Sequence, residues 1–87
     1  MNKQEQEIIG IIDEVLTEHA RARNLYPTWP TDIVHATATM LEEAGETLQA
    51  ANNVYWSHKG GTVEDVRKEA IHTMAMCLRL LTETPGL

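Results

Sequence analysis

The chain has one cysteine, three prolines and no lysine or arginine between Asn24 and His58. A single cysteine, Cys77, cannot form a disulfide within the chain. No apolar run approaches the roughly 20 residues that a transmembrane helix needs. The N-terminal "MNKQEQE" lacks the apolar core that a signal peptide carries. These absences predict a cytoplasmic protein that has no membrane partner.

Basic residues are scarce, with seven Lys and Arg against thirteen Asp and Glu, and the formal net charge is -6. Binding to polymeric nucleic acid needs clustered cations that release counterions, so we expect no such partner. A chain of 87 residues forms one domain at most and buries only about 60% of the surface that it exposes when unfolded. We therefore expect a homodimer or homotetramer.

Apolar residues recur at helical spacing in three segments, and no segment shows the alternation typical of a strand. This periodicity predicts a single domain, 1–87, with helices over about 3–23, 32–56 and 63–82. "NLYPTWPTD" separates the first two helices and offers an N-cap at Thr31 or Asp32, and "SHKGGT" separates the last two. The predicted fold class is all-α, an antiparallel helical bundle of three to four helices that oligomerisation completes.

The second predicted helix has two different faces. One face is apolar and consists of Val34, Leu41, Ala44, Leu48, Ala51 and Tyr55. The other includes Glu42 and Glu46, with Glu43 at its border. Like charges three or four residues apart destabilise a helix by about 0.2–0.5 kcal/mol per pair, and no basic residue lies within a helical turn of them. A bound cation would explain these three glutamates better than a solvated surface does.

The third predicted helix supplies further candidate ligands. Glu69 and His72 are three residues apart, hence on one face of the helix. If the second and third helices pack antiparallel across the glycine turn, Glu43 and Glu46 would face this pair, and four ligands would converge. Oxygen ligands of this kind suit Mg²⁺ or Mn²⁺. We therefore expect Mg²⁺ (or Mn²⁺) as the cofactor.

The segment "EEAGE", followed on the next helix by "EAIH", resembles the motif of the MazG-like, all-α nucleoside triphosphate pyrophosphohydrolases, which is E-E-x-x-E and then E-x-x-D. The resemblance covers roughly residues 31–82. It implies metal-dependent cleavage of a nucleoside or deoxynucleoside triphosphate between the α- and β-phosphates, giving a monophosphate and pyrophosphate. It also implies that Glu43, Glu46 and Glu69 are the principal metal ligands. His72 takes the place of the last metal-binding Asp and becomes the fourth.

Further residues are candidates for catalysis and substrate binding in such a reaction. Glu42 is the candidate catalytic residue, because a carboxylate that the metal does not use can orient the attacking water. The candidate substrate-binding residues are Lys59 and Lys68 for phosphates, Trp29 for stacking on the base, Asn53 for the base or ribose, and His35 for a phosphate or carboxylate. Each also has a plainer role, such as a surface lysine or a tryptophan at the edge of the core.

Two alternative functions fit the same residues. A non-catalytic helical module that binds a nucleotide or a protein would retain the fold and would tolerate His72 in place of Asp. A purely structural helical oligomer would leave the glutamates solvated, and the lack of neighbouring cations argues against it. The products formed from a panel of nucleotides would distinguish an enzyme from both alternatives.

Overall fold

The computed structural model describes all 87 residues and contains three α-helices and no strand. Helix α1 spans Lys3–Leu25, α2 spans Ile33–Tyr55 and α3 spans Val63–Glu83. The predicted all-α class is confirmed, and each predicted helix boundary lies within two residues of the observed one. None of the three helices is both long and apolar enough to cross a membrane.

Side chains cap the first turn of each helix. Asp32 accepts a hydrogen bond from a backbone N–H at the start of α2, at 2.9 Å. Asn2 and Glu5 form a reciprocal pair of hydrogen bonds at α1, and Thr62 and Asp65 form another at α3. Each such cap stabilises its helix by about 1 kcal/mol. The pattern of Ser, Thr, Asp and Asn before apolar runs therefore locates the helix starts in the sequence.

Helices α2 and α3 form an antiparallel pair across a short turn. The hydroxyl groups of Thr47 and Thr73 lie 3.1 Å apart at the centre of the pair. At the turn, a Cβ atom added to Gly61 would lie 2.6 Å from Cβ of Asn53, so only glycine allows this close approach. The short turn and the close contact fix the register of α3 against α2.

Helix α1 packs on the opposite flank of α3 and runs parallel to it. Arg67 near the start of α3 donates two hydrogen bonds to Glu14 of α1, and Arg23 at the end of α1 lies 3.7 Å from Glu83 at the end of α3. No Cα atom of α1 comes within 8 Å of one in α2. The three helices therefore form an open layer with α3 in the middle, and a cleft separates α1 from α2.

The linker between α1 and α2 is fastened to the end of α3. The indole N–H of Trp29 donates to the hydroxyl of Thr84 at 2.9 Å. The guanidinium of Arg79 lies 4.9 Å from the centre of the Trp29 ring and donates two hydrogen bonds to Glu83. Arg79 is only 2% exposed, so its charge is paired where water cannot reach it. These contacts fix the linker at one end of the cleft.

The hydrophobic core is thin. Only nine residues are buried, and the core cluster consists of Val15, Ala22, Ile71, Ala75 and Met76. The predicted apolar face of α2 does not contribute its large residues to this core: Val34, Leu41, Leu48 and Tyr55 are 72%, 62%, 64% and 76% exposed. The part of α2 that packs on α3 carries small side chains such as Ala36 and Ala50 instead.

Candidate metal centre

Three potential metal ligands meet where α2 packs on α3. Glu69 and His72 project from one face of α3, and Glu43 faces them from α2. One ligand atom from each side chain lies within 4.8 Å of the other two. The antiparallel register set by the turn brings together three of the four residues that the sequence analysis predicted as ligands. We call this group the Glu43 cluster.

One oxygen of each carboxylate in the cluster lacks a hydrogen-bond partner. Oε2 of Glu43 and Oε2 of Glu69 are both shielded from solvent and have no hydrogen-bond partner. A buried polar atom without a partner costs roughly 1–3 kcal/mol, and more if it carries charge. Two such oxygens beside an imidazole form a mixed oxygen and nitrogen donor set that suits Mn²⁺ and similar divalent ions. The residues present therefore fit a divalent cation.

Burial and repulsion alter the ionisation of Glu43. Partial burial, and then the negative charges of Glu46, Glu69 and Glu42, raise the pKa of Glu43 to about 7 from an ordinary 4.5. Without a cation, the carboxyl group therefore holds its proton through mildly acidic pH. A divalent ion would replace that proton and remove the repulsion.

Glu46 and Glu42 lie at the edge of the cluster. Both side chains are exposed, and both line the cleft between α1 and α2. Glu46 is close enough to Glu43 for its charge to be the second largest cause of the raised pKa. It is outside the group of three whose ligand atoms converge, so it lies beside that group. Glu42 lies further out on the rim.

Two members of the cluster, Glu43 and His72, line a cleft with a volume of about 600 Å³. Its walls come from all three helices and the α1–α2 linker. The α1 wall contributes Glu18 and Arg21, and Met76 and Arg79 belong to the α3 floor. A volume between about 300 and 1,000 Å³ is typical of small-molecule sites.

Glu18 and Arg21 are site residues that the sequence analysis missed. Nε and Nη2 of Arg21 donate to the two carboxylate oxygens of Glu18 at 2.7 and 2.8 Å. This hydrogen bonding, together with the nearby charges of His72 and Lys68, lowers the pKa of Glu18. Arg21 is 52% exposed and is the accessible cation of the cleft. In the sequence the pair reads as an ordinary i, i+3 surface interaction of one helix, and no spacing connects it to α3.

The predicted substrate-binding residues are dispersed. Trp29 lines the cleft, although its indole is already held by Thr84 and Arg79. Lys68 and Asn53 line a smaller groove of about 280 Å³ on the far side of the cluster, which they share with Glu46 and Glu69.

Two of the predicted residues lie away from the cluster. His35 borders a shallow depression formed by the α1–α2 linker, separate from the cleft. Lys59 is exposed in the α2–α3 turn, at a backbone φ of 54°. Neither residue lines the cleft or the smaller groove. The structure therefore gives no support to a role for His35 or Lys59 in substrate binding.

Comparison with known proteins gives no relative. No family model matches the chain, and neither curated protein sequences nor solved structures yield a significant match. The resemblance to the MazG-like pyrophosphohydrolases thus depends on the residues of α2 and α3 alone. The geometry of the Glu43 cluster is the basis for any functional argument.

Proposed function

We propose that the protein hydrolyses a nucleoside or deoxynucleoside triphosphate between its α- and β-phosphates, giving a monophosphate and pyrophosphate, with Mg²⁺ or Mn²⁺ as cofactor. The observation that supports this proposal is the group of Glu43, Glu69 and His72, whose ligand atoms lie within 4.8 Å of one another. One oxygen of each glutamate has no hydrogen-bond partner, and Glu43 and His72 line a cleft of about 600 Å³. Since nucleoside triphosphates are cytoplasmic metabolites, the proposal places the protein in the cytoplasm.

Glu43, Glu69 and His72 would hold the ion, and Glu46 would add negative charge beside it. When bound, a divalent ion offsets the charge of the triphosphate and acidifies a water molecule beside the phosphorus. Glu42, at the rim of the cleft, would accept a hydrogen bond from such a water. The imidazole of His72 favours Mn²⁺ over Mg²⁺ relative to a site built from carboxylates alone.

The cleft offers complementary groups for the rest of the substrate. Arg21 presents N–H donors on the α1 wall, opposite the glutamates of α2, and Arg–phosphate hydrogen bonds are among the strongest in proteins. Tyr26 and Trp29 also line the cleft and provide aromatic surface for a base. Lys68 lies in the groove beyond the cluster, where it could neutralise a phosphate that extends past Glu69.

The proposal is tested by incubating the purified protein with a panel of nucleoside triphosphates and Mg²⁺ or Mn²⁺, and separating the products. We expect pyrophosphate and a monophosphate in equal amounts from at least one nucleotide, and no product from Glu43→Gln. Glu7→Gln, an exposed change on α1 outside the cleft, is the matched control and should retain full activity. Orthophosphate as the only phosphate released would contradict cleavage between the α- and β-phosphates.

A non-catalytic nucleotide-binding module is the second candidate. The observation in its favour is His72, which replaces the carboxylate expected from the family motif. In that case a nucleotide would bind in the presence of Mn²⁺ but remain intact in the product assay. The structural oligomer with solvated glutamates is disfavoured, because Oε2 of Glu43 is shielded from solvent.

We further propose that the protein acts as a homodimer or homotetramer through the side of the layer opposite the Glu43 cluster. Successive residues are rotated by about 100° around a helix, which places Leu16 opposite Glu18, Leu48 away from Glu43, and Leu81 opposite His72. These three leucines are 52%, 64% and 59% exposed. All three helices therefore present apolar side chains on this one side, which we call the back face.

The large accessible surface of the chain supports the proposal that a second copy covers the back face. The chain exposes 6223 Å², whereas a compact monomer of its mass exposes about 5,200 Å². The excess of roughly 1,000 Å² is similar to the 800 Å² or so that one partner loses in a standard protein interface. The radius of gyration of 14.5 Å also exceeds the value of about 12 Å expected for a compact domain of this length.

The back face of α2 is suited to packing against a second copy of the chain. Its large apolar residues repeat every seven positions, at Val34, Leu41, Leu48 and Tyr55, which is the spacing of helices that pack along their length. The charged residues of α2 all lie on its other faces. Apart from the adjoining residues and backbone of α2 itself, no atom lies within 4 Å of the point where a Cβ on Gly45 would be, so a neighbouring helix can approach closely there.

A further inference from the structure

His72 lies between carboxylates from two different helices. Its Nδ1 is 3.9 Å from Oε2 of Glu69, within the Glu43 cluster, and its Nε2 is 3.5 Å from Oε2 of Glu18 on α1. The side chains are shielded, with exposures of 22% for His72, 22% for Glu69 and 12% for Glu18. The two ring nitrogens thus face different surroundings, one the cluster and the other α1.

Glu18 is not placed to bind the metal itself. Both of its oxygens accept hydrogen bonds from Arg21, and it is outside the group whose ligand atoms lie within 4.8 Å of one another. A carboxylate oxygen can accept more than one hydrogen bond, so Oε2 retains capacity for a donor from the imidazole. Arg21 holds that oxygen in a fixed position beside the ring.

We propose that Glu18 is a positioning residue: it accepts a hydrogen bond from Nε2–H of His72, keeps the ring proton on Nε2, and turns Nδ1 towards Glu43 and Glu69. A role for this contact in metal binding rests on the proposed function, whereas the contact between Glu18 and His72 can be tested without metal. An imidazole binds a metal through its unprotonated nitrogen, and histidine ligands commonly donate their other N–H to a carboxylate. Helix α1 supplies no ligand but controls the orientation of one.

The first test uses the metal-free protein. Long-range ¹H–¹⁵N NMR spectra at about pH 9, well above the ordinary titration range of histidine, report which nitrogen carries the proton. We expect the Nε2–H tautomer for His72. Glu18→Met, which keeps the length of the side chain and its helix propensity but removes the oxygens, should give a mixture of tautomers. Glu14→Met removes the Glu14–Arg67 ion pair, which also joins α1 to α3, and should leave His72 unchanged.

The second test measures Mn²⁺ affinity by electron paramagnetic resonance in a double-mutant cycle. Glu18→Met should weaken Mn²⁺ binding by about 10- to 100-fold, the range typical for loss of a carboxylate behind a ligand histidine. In a His72→Asp background the same change should weaken binding less than about 3-fold, because no ring remains to be oriented. A general effect of charge or of stability would persist in both backgrounds.

The two tests separate the failure of this inference from failure of the proposed function. An Nδ1–H tautomer in the unmodified protein, or a His72 signal that Glu18→Met does not alter, would overturn the positioning role. Equal weakening of Mn²⁺ binding in both backgrounds would also overturn it. A third outcome is that His72 shows the Nε2–H tautomer, that Glu18→Met abolishes this preference, and that no Mn²⁺ binds. That result would support the contact between Glu18 and His72 and contradict the proposed metal site.

Discussion

Replacing Glu43 by glutamine should stabilise the metal-free protein at neutral and alkaline pH. The pKa of Glu43 is raised to about 7, mainly by burial and then by the charge of Glu46, whereas the same group has a pKa near 4.5 when unfolded. Between these two values, the folded protein binds a proton that the unfolded chain does not. The free energy of unfolding therefore falls as pH rises from about 4.5 to 7, and the loss is complete above that range.

The size of the effect follows from the same difference. At about 1.4 kcal/mol per pH unit, the difference between the folded and unfolded pKa values of Glu43 corresponds to about 3 kcal/mol. Glu43 keeps part of its surface in contact with water, so screening reduces the expected value to about 1–2 kcal/mol. In a domain of this length, that amounts to an increase in melting temperature of about 5–15 °C for Glu43→Gln at pH 8.

The assay compares melting temperatures of the unmodified protein and Glu43→Gln at about pH 8 and pH 4.5, at one protein concentration and with a chelator present. We expect the variant to be more stable at the higher pH and nearly equal at the lower, where Glu43 is neutral in the folded protein and only about half ionised in the unfolded chain. Glu42→Gln, on the exposed rim, should differ by less than about 0.5 kcal/mol at either pH. Millimolar Mn²⁺ should then raise the melting temperature only of the protein that retains Glu43. The difference in melting temperature between the two proteins should therefore shrink or change sign.

A stability difference that is the same at both pH values would contradict the raised pKa as its cause. Lower stability of Glu43→Gln at pH 8 would contradict it as well, because the carboxylate would then have a stabilising partner. The chelator matters, because a trace of tightly bound metal would stabilise the unmodified protein and hide the repulsion.

Three further changes test other parts of the structure. Leu48→Glu, on the back face of α2, should dissociate the proposed oligomer in sedimentation experiments, whereas Gln49→Glu adds the same charge one residue away and should leave that assembly intact. Arg79→Ala should destabilise the protein by about 3 kcal/mol in urea unfolding, because Glu83 loses its hydrogen-bond donor and Trp29 loses the guanidinium that packs on its ring. Arg23→Ala, the control, removes only an exposed charge near the same carboxylate and should cost less than about 1 kcal/mol. His72→Asp should strengthen Mg²⁺ binding relative to Mn²⁺ in competition experiments, because it replaces a nitrogen ligand by a harder oxygen.

Local signals in the sequence were sufficient for the helices and for most of the cluster. Asp32, and Thr62 with Asp65, mark helix starts through hydrogen bonds within four residues, which sequence spacing specifies directly. Glu69 and His72 share a face because they are three residues apart. A short turn between α2 and α3 favours antiparallel packing of the two helices. Local geometry of this kind does not depend on the rest of the fold.

The exact rotation of α2 was harder to predict. The sequence analysis placed both Glu43 and Glu46 opposite α3, although residues three apart point about 60° away from each other around a helix. The small residues Ala36 and Ala50 decide the rotation, because they let α3 approach one side of α2 and so bring Glu43 inward. The large apolar residues that the sequence analysis placed together are indeed on one face, but that face is the exposed one.

The contribution of α1 could not be predicted from spacing. Glu18 and His72 are far apart in the chain and meet only because α1 packs parallel to α3. Within its own helix, Glu18 pairs with Arg21 as many surface residues do. Side chains that reach a site from a non-adjacent helix leave no periodic signal, and only the packed structure shows them.

The most direct test of a metal site at the Glu43 cluster is an Mn²⁺ titration followed by electron paramagnetic resonance. The account predicts about one tightly bound Mn²⁺ per chain in the unmodified protein, and loss of that binding in Glu43→Gln and in Glu69→Gln, because each variant removes a charged ligand. Glu7→Gln should bind as the unmodified protein does. Absence of bound Mn²⁺ at millimolar concentrations, or equal affinity in all four proteins, would contradict the assignment of Glu43, Glu69 and His72 as a metal centre.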